Sequence, residues 1–358
     1  MIAPLLACVG PEQHGVRMHA QNLAAHTPDA RTVAGSLTEL RPVLLGESSP
    51  VHLHFTDRVF GPSPQAAAST VAEIAAVRPV TVTVHDIPQP SDGHAFEARR
   101  AAFARVVDVA RAVIVCSASE RAQLERHVPA TSGLPVHVNH LPIDPPEPGP
   151  WHRAWQWAGA QPPCPLSLSD GDDTERVPRV AVLGFLYPGK GHESVIEALA
   201  GLDTPVEVVA LGRASDGHED LVPALDAAAR RHGHSFRTTG FLDDTALTRA
   251  AQRVTVPVVA PAHVSASGSI GRWISSGRAP IVTPHPFFEE LAERAPWALT
   301  LTDDLSAALR AALADPRSTW IDPARWNGED LPSTRVAAAR QWALLTGEQI
   351  PASRGGDR

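Results

Sequence analysis

The chain has 358 residues, 43% hydrophobic and 20% charged, with a formal net charge of −8. That length spans about two ordinary domains, the apolar content excludes wholesale disorder, and the acidic balance argues against a nucleic-acid partner. No apolar run reaches the ~18–20 residues of a membrane span, and three scattered cysteines, Cys8, Cys116 and Cys164, exclude a disulfide framework or a cysteine-based zinc site.

From the N-terminus, residues 1–10 read as a first strand rather than a signal peptide. No basic region precedes the apolar stretch and a glycine loop follows at once, so a cytoplasmic location is expected. Short β-branched runs at Leu5–Val9, Val51–Phe55, Val80–Val84, Ala112–Cys116 and Val136–His140 predict strands. Alanine-rich amphipathic stretches at 16–26, 65–77, 95–110 and 118–127 predict the helices between them. Over 95–110, Phe96, Phe103, Val106, Val107 and Ala110 share one face, while Glu97, Arg99, Arg100 and Arg105 lie mainly on others. Prolines at 145–150, a segment bearing Trp151, Trp155 and Trp157, and the polar run Ser167–Glu175 break the alternation and read as a linker with an insertion. The alternation restarts with strands at Arg179–Leu183, Val206–Leu211, Ser235–Thr239, Val254–Val259, Pro280–Thr283 and Ala298–Leu301. Helices are predicted at 192–200, 219–232, 243–251, 269–276, 286–294 and 304–314, with a last one over 333–345. Two such series imply an α/β chain of two doubly wound, Rossmann-like domains, with ligands at the carboxyl ends of the strands.

Four strand-to-helix loops carry candidate chemistry. The first, Val9-Gly10-Pro-Glu-Gln-His14-Gly15, opens a helix N-terminus to a ligand or is simply a tight turn. It lacks the Gly-x-Gly-x-x-Gly dinucleotide fingerprint. The second, Val84-His85-Asp86-Ile-Pro88, puts a histidine at a strand end, where it serves a substrate hydroxyl or the fold itself. The third, Gly184-Phe-Leu-Tyr187-Pro-Gly-Lys190-Gly191, holds the single lysine and the single tyrosine of the chain. In a composition where arginine otherwise supplies every cation, a retained lysine suits a tight phosphate pocket that a planar guanidinium would not enter. The Walker A hydroxyl is missing, because Gly191 and His192 follow the lysine. The fourth, His263-Val-Ser265-Ala-Ser267-Gly268-Ser269-Ile-Gly271-Arg272, offers hydroxyls and backbone amides to phosphate oxygens, or caps a helix. Together the third and fourth loops point to a diphosphate. His52 and His54 stand two apart on one strand face, but the sequence assigns them no carboxylate or cysteine partner, so they are not read as a metal site. The hydrolase elbow Gly-x-Ser-x-Gly is absent.

The ordered set resembles the GT-B glycosyltransferases. The Gly-Pro-x-x-His-Gly loop, Val-His85-Asp and Val-Cys-Ser117-Ala-Ser-Glu120 are similar to the acceptor half. Gly184-x-x-x-x-Gly-Lys190-Gly191, Ala-Leu-Gly212, Thr-Gly240-Phe-Leu-Asp and Gly277-Arg-Ala-Pro280-Ile-Val are similar to the donor half of glycosyltransferase family four. The resemblance implies domains at 1–145 and 179–330 facing a cleft, a linker at 146–178, and a final helix in 331–358 returning to the first domain. It implies that Lys190, beside Gly184 and Gly191, contacts the donor diphosphate, that Ser265, Ser267, Gly268 and Ser269 reach sugar and phosphate, and that His85 is the catalytic histidine near the transferred sugar. Gly15, with His14, would lie under the phosphates, and Ser117 would join the substrate site. The family needs no metal or other cofactor, because positive groups and amides stabilise the departing diphosphate. Two glutamates usual in the fourth loop are replaced by Val264 and Arg272, and Phe185 follows Gly184 where an arginine is common. Arg272 adds charge to the diphosphate or supports packing.

The expected activity is transfer of a hexose-type sugar from a nucleotide diphosphate sugar to a small-molecule or lipid-linked acceptor. The alternatives are a catalytically inactive GT-B-like partner subunit of another transferase, motivated by the missing glutamates, and a nucleotide-sugar epimerase using Asp57, Asp86 or Glu120. Arginines along 95–111 are compatible with peripheral membrane contact and equally with a solvated face.

Overall fold

In the computed structural model, which describes residues 3–128, 133–160 and 177–348, the chain divides into two compact units, Met1–Pro142 with Pro332–Arg358, and Ile143–Leu331.

The first unit holds strands β1 (Leu5–Val9), β2 (Thr32–Gly35), β3 (Val51–Phe55), β4 (Val80–Val84), β5 (Val113–Val115) and β6 (Val136–Val138). They form one parallel sheet in the order β2-β1-β3-β4-β5-β6. Helices α1 (Gly15–Ala25), α2 (Leu37–Gly46), α3 (Asp57–Phe60), α4 (Pro64–Val77), α5 (Phe96–Val109) and α6 (Ala118–His127) complete the alternation. The sequence Val51-His-Leu-His-Phe55 beside Val80-Thr-Val-Thr-Val84 explains the two faces of this sheet, since successive side chains point to opposite sides. The valines, Leu53 and Phe55 enter an apolar core with Val71 and Ile74 of α4 and Phe103, Val106 and Val107 of α5. His52, His54 and Thr83 take the other face, and they too are buried.

Strand β2 and helix α2 lie where the sequence predicts nothing. β2 is a short edge strand with one buried residue, and α2 carries Pro42 inside it. A capping box starts α2: the Ser36 hydroxyl accepts from Glu39 N, and Ser36 N donates back to the Glu39 carboxylate at 2.7 Å.

Helix α5 departs from its predicted pattern at Arg99, which is buried. Its Nη2 donates to Asp57 Oδ1 at 3.0 Å and to the Asp86 carbonyl at 2.6 Å, and its Nη1 pairs with Asp92. The two carboxylates offset the desolvation of the guanidinium. Arg100 pairs with Glu97, and Arg105 donates to Ser69 Oγ. No helix among the described residues is long and apolar enough to cross a membrane.

The second unit begins with α7 (Pro148–Ala160). The tryptophan-bearing segment read as linker is therefore a helix, with Trp151 and Trp155 one turn apart. Trp151 is buried, and its Nε1 donates to the Ile321 carbonyl at 3.0 Å. The rest of the linker, including Cys164 and Ser167–Glu175, lies outside the described residues. Strands β7 (Arg179–Leu183), β8 (Glu207–Leu211), β9 (Ser235–Thr238), β10 (Val256–Val259), β11 (Ile281–Val282) and β12 (Thr300–Leu301) form a parallel sheet in the order β12-β11-β10-β7-β8-β9. Its helices are α8 (His192–Ala198), α9 (Leu221–Arg231), α10 (Asp244–Gln252), α11 (Gly268–Ser275), α12 (Pro286–Arg294) and α13 (Leu305–Ala314). The last helix, α14 (Thr334–Thr346), belongs to the first unit. Its Ala337 and Ala338 pack on Leu23 of α1, and the Ala337 carbonyl accepts from Asn139 Nδ2 at 3.0 Å.

Candidate anion site and histidine cluster

A doubly wound sheet binds ligands at the switch point, where loops from neighbouring strands leave in opposite directions. In the second unit the strand order places that point between β7 and β10. The lysine loop follows β7 and the serine loop precedes α11 after β10. The topology makes the two loops neighbours. Ala262 N donates to the Gly189 carbonyl at 2.8 Å, tying one to the other. Gly191 is required here: its φ is +108°, and a Cβ would lie 2.4 Å from the Ala260 carbonyl oxygen.

Lys190 has its Nζ 3.4 Å from Ser269 Oγ, and no carboxylate pairs with it among the described residues. Burial pulls its pKa down from 10.5 to about 8. An ammonium carries three donors, so two remain for a ligand. A Cβ on Gly184 would stand 3.4 Å from that nitrogen, which keeps this side of the ammonium clear. Ser267 occupies the N-cap position of α11, yet its hydroxyl caps no backbone N–H; it lies 3.0 Å from Ser269 Oγ. The capping reading of Ser267 is thereby corrected, and the first-turn amides of α11 keep their positive end uncovered by it. Gly268 is exposed, with open space where a Cβ would be. Ser265 is half-buried in the same loop. Lys190, Ser267 and Ser269 thus form one hydrogen-bonded group suited to phosphate oxygens.

Arg272 does not join that group as an unpaired cation. Its Nη2 is bound to Asp244 Oδ1 of α10. Val264, at the other position where the resembled family carries a glutamate, is buried.

In the first unit the expected site residues separate into different roles. His14 is the N-cap of α1, its Nδ1 accepting from Val16 N at 3.3 Å. Gly15 is exposed with no atom near its Cβ position. Ser117 is buried and caps α6, accepting from Glu120 N at 3.0 Å. The three carboxylates weighed for epimerase chemistry are also engaged. Asp57 holds Arg99, Glu120 is buried and accepts from Cys116 N at 2.7 Å, and Asp86 accepts from Thr56 Oγ1 at 3.0 Å.

His85 is 6% exposed. Its Nε2 lies 3.1 Å from His54 Nδ1, and its Nδ1 lies 3.9 Å from Cys116 Sγ. Both ring nitrogens of His85 thus have neighbours inside the unit, and the residue belongs to a cluster of histidines. Asp86 fixes it there: this residue has φ +51°, a left-handed turn that aspartate tolerates. His52 is held by Thr81 Oγ1 at 3.0 Å and Thr83 Oγ1 at 2.9 Å. His19 of α1 completes the group, its ring centroid 5.3 Å from that of His54 and 5.6 Å from that of His85. Burial pushes the pKa of His19, His52 and His85 down to about 3, and that of His54 downward as well, so all four rings are neutral at pH 7. The alternation in β3 and β4 marks His54 and His85 for one face; nothing in the sequence places His19 opposite them.

Two six-stranded parallel sheets, each doubly wound and each in its own unit, define the class: this is the GT-B fold. Among solved structures, the chain is similar to Anabaena HepE in complex with UDP-glucose, at 15% identity and a TM-score of 0.66, with 98% of this chain and 100% of that one covered. It is likewise similar to sucrose-phosphate synthase from Thermosynechococcus elongatus (15% identity, TM-score 0.66, 96% and 98% covered). A third is a glycosyltransferase from Rickettsia africae (11% identity, TM-score 0.62, 97% and 98% covered). No family model and no curated protein matches the sequence.

Proposed function

We propose that this protein is a glycosyltransferase that moves a hexose-type sugar from a nucleotide diphosphate sugar to a small-molecule or lipid-linked acceptor. The observation that carries the reading is Lys190: a half-buried ammonium, without a carboxylate partner among the described residues, beside two serine hydroxyls at the switch point of the second sheet. A partly buried cation of this kind is costly until an anion arrives. The similar HepE structures contain UDP and UDP-glucose, which supports a nucleotide sugar as that anion.

On this reading Lys190 and the Ser267–Ser269 group neutralise the diphosphate as the glycosidic bond breaks. Stabilising charge that develops on a leaving group is the main electrostatic route to such a reaction, and it requires no metal at the phosphates. A panel of UDP-, GDP-, ADP- and TDP-sugars tests the proposal by thermal shift and calorimetry. One nucleotide class should raise the melting temperature, as a ligand that binds only the folded state must. Lys190→Met should weaken its binding about ten- to a hundredfold, since charge-assisted hydrogen bonds contribute ~1.5–3 kcal/mol. Binding of no donor, or equal binding by the variant, refutes the assignment.

A further inference from the structure

The polar face of the first sheet poses a separate question: why three imidazoles are gathered on it. His54 and His85 approach through Nδ1 and Nε2 at 3.1 Å. His19 adds a third ring and makes no hydrogen bond among the described residues, and the ligand nitrogens of the three lie within 4.8 Å of one another. One shared proton satisfies the His54–His85 contact and leaves His19 without a role.

We propose that His19, His54 and His85 form a binding site for a divalent transition-metal ion of the zinc type, with three imidazole nitrogens as ligands and a fourth position open. Nitrogens bound tetrahedrally to zinc at ~2.0–2.1 Å lie about 3.3 Å apart. The His54–His85 pair is already near that spacing, and His19 has to close by at most about 1.5 Å from the observed limit, a movement within reach of a half-buried side chain on α1. The surroundings also fit. Each imidazole binds a metal through an unprotonated ring nitrogen. The Cys116 sulfur lies 3.9 Å from His85 Nδ1, which leaves Nε2, the nitrogen facing His54, as the ligand atom; outer partners of this type orient metal-bound histidines. His52 is not a ligand, because both of its nitrogens face threonine hydroxyls. The inference does not depend on the donor reading, which concerns residues of the second unit.

The test uses the full chain. Protein loaded with zinc and dialysed against metal-free buffer is measured by elemental analysis, and a parallel sample is loaded with cobalt(II) as a spectroscopic probe. About one zinc per chain is expected, with the visible absorption of nitrogen-ligated tetrahedral or five-coordinate cobalt. His19→Ala should lose both while keeping its far-ultraviolet circular dichroism, because His19 is half-buried and its replacement is a good helix former. His94→Ala, at an exposed histidine outside the cluster, should retain both. No retained metal in the unaltered protein overturns the proposal. So does equal retention by His19→Ala, which would place the metal on other histidines.

Discussion

Replacing Lys190 with methionine separates what this residue does for stability from what it does for binding. The fall of its pKa from 10.5 to about 8 corresponds to about 3 kcal/mol of folding free energy at ~1.36 kcal/mol per tenfold. Residual solvent access at the ammonium lowers this to about 2 kcal/mol. Lys190→Met keeps the chain length and removes the charge, so the ligand-free variant should be more stable than the unaltered protein by about 2 kcal/mol at pH 7. The gain has a defined pH window. Below pH 8 the lysine is charged in both folded and unfolded states, and its burial costs the full amount. Between pH 8 and 10.5 the folded state sheds the proton first, the unaltered protein gains stability with rising pH, and the advantage of the variant fades. Urea denaturation from pH 6 to pH 10, with and without a nucleotide sugar, reads both effects. A variant less stable than its parent at pH 7, or an advantage independent of pH, refutes the claim that this ammonium lacks a counter-charge in the free protein.

Arg278 is the opposite case, a buried cation whose donors are all used. It reaches the carbonyls of Ala251 at 2.9 Å, Val254 at 2.6 Å, Thr255 at 3.0 Å and Thr319 at 3.2 Å, and the Thr319 hydroxyl at 2.8 Å, with Trp320 beneath it. Arg278→Ala should cost at least ~3 kcal/mol, seen as a lower urea midpoint, because several acceptors lose their donor in a place water does not reach. Gly191→Ala should cost ~1–3 kcal/mol and abolish donor-induced stabilisation, since a methyl group at φ +108° and 2.4 Å from the Ala260 oxygen forces the two anion-site loops apart; an unchanged thermal scan would contradict this.

Much of the fold is legible in the sequence because buried parallel strands are short, β-branched and bounded by helices of strong period. Strands Leu5–Val9, Val51–Phe55, Val80–Val84 and Arg179–Leu183 fall at their predicted bounds. β2 escapes because Thr32-Val-Ala-Gly35 offers no apolar run, and α2 because Pro42 argues against a helix there, although Ser36-x-x-Glu39 is a capping signature. Prolines flanking Trp151 and Trp155 mask the four-residue spacing of the two rings, which is the helical period of α7. In the site, Lys190 is marked by its uniqueness, and its loop by its glycines. The roles of Arg99, Arg272 and His19 depend on partners 42, 28 and 35 positions away in sequence (Asp57, Asp244 and His54), which periodicity does not reveal.

The composition of the first unit from both ends of the chain fixes an order of events at the ribosome. The second unit is continuous from Ile143 to Leu331, so every strand it needs has been synthesised before α14 exists. Until Thr334–Thr346 is made, the α1 surface that receives Ala337 and Ala338, and the Leu6–Cys8 face that packs with Trp342 and Leu345, stay open to water. The half begun first is therefore the half finished last, and a nascent chain stalled before α14 presents an exposed apolar seam to chaperones while its other half is already able to fold.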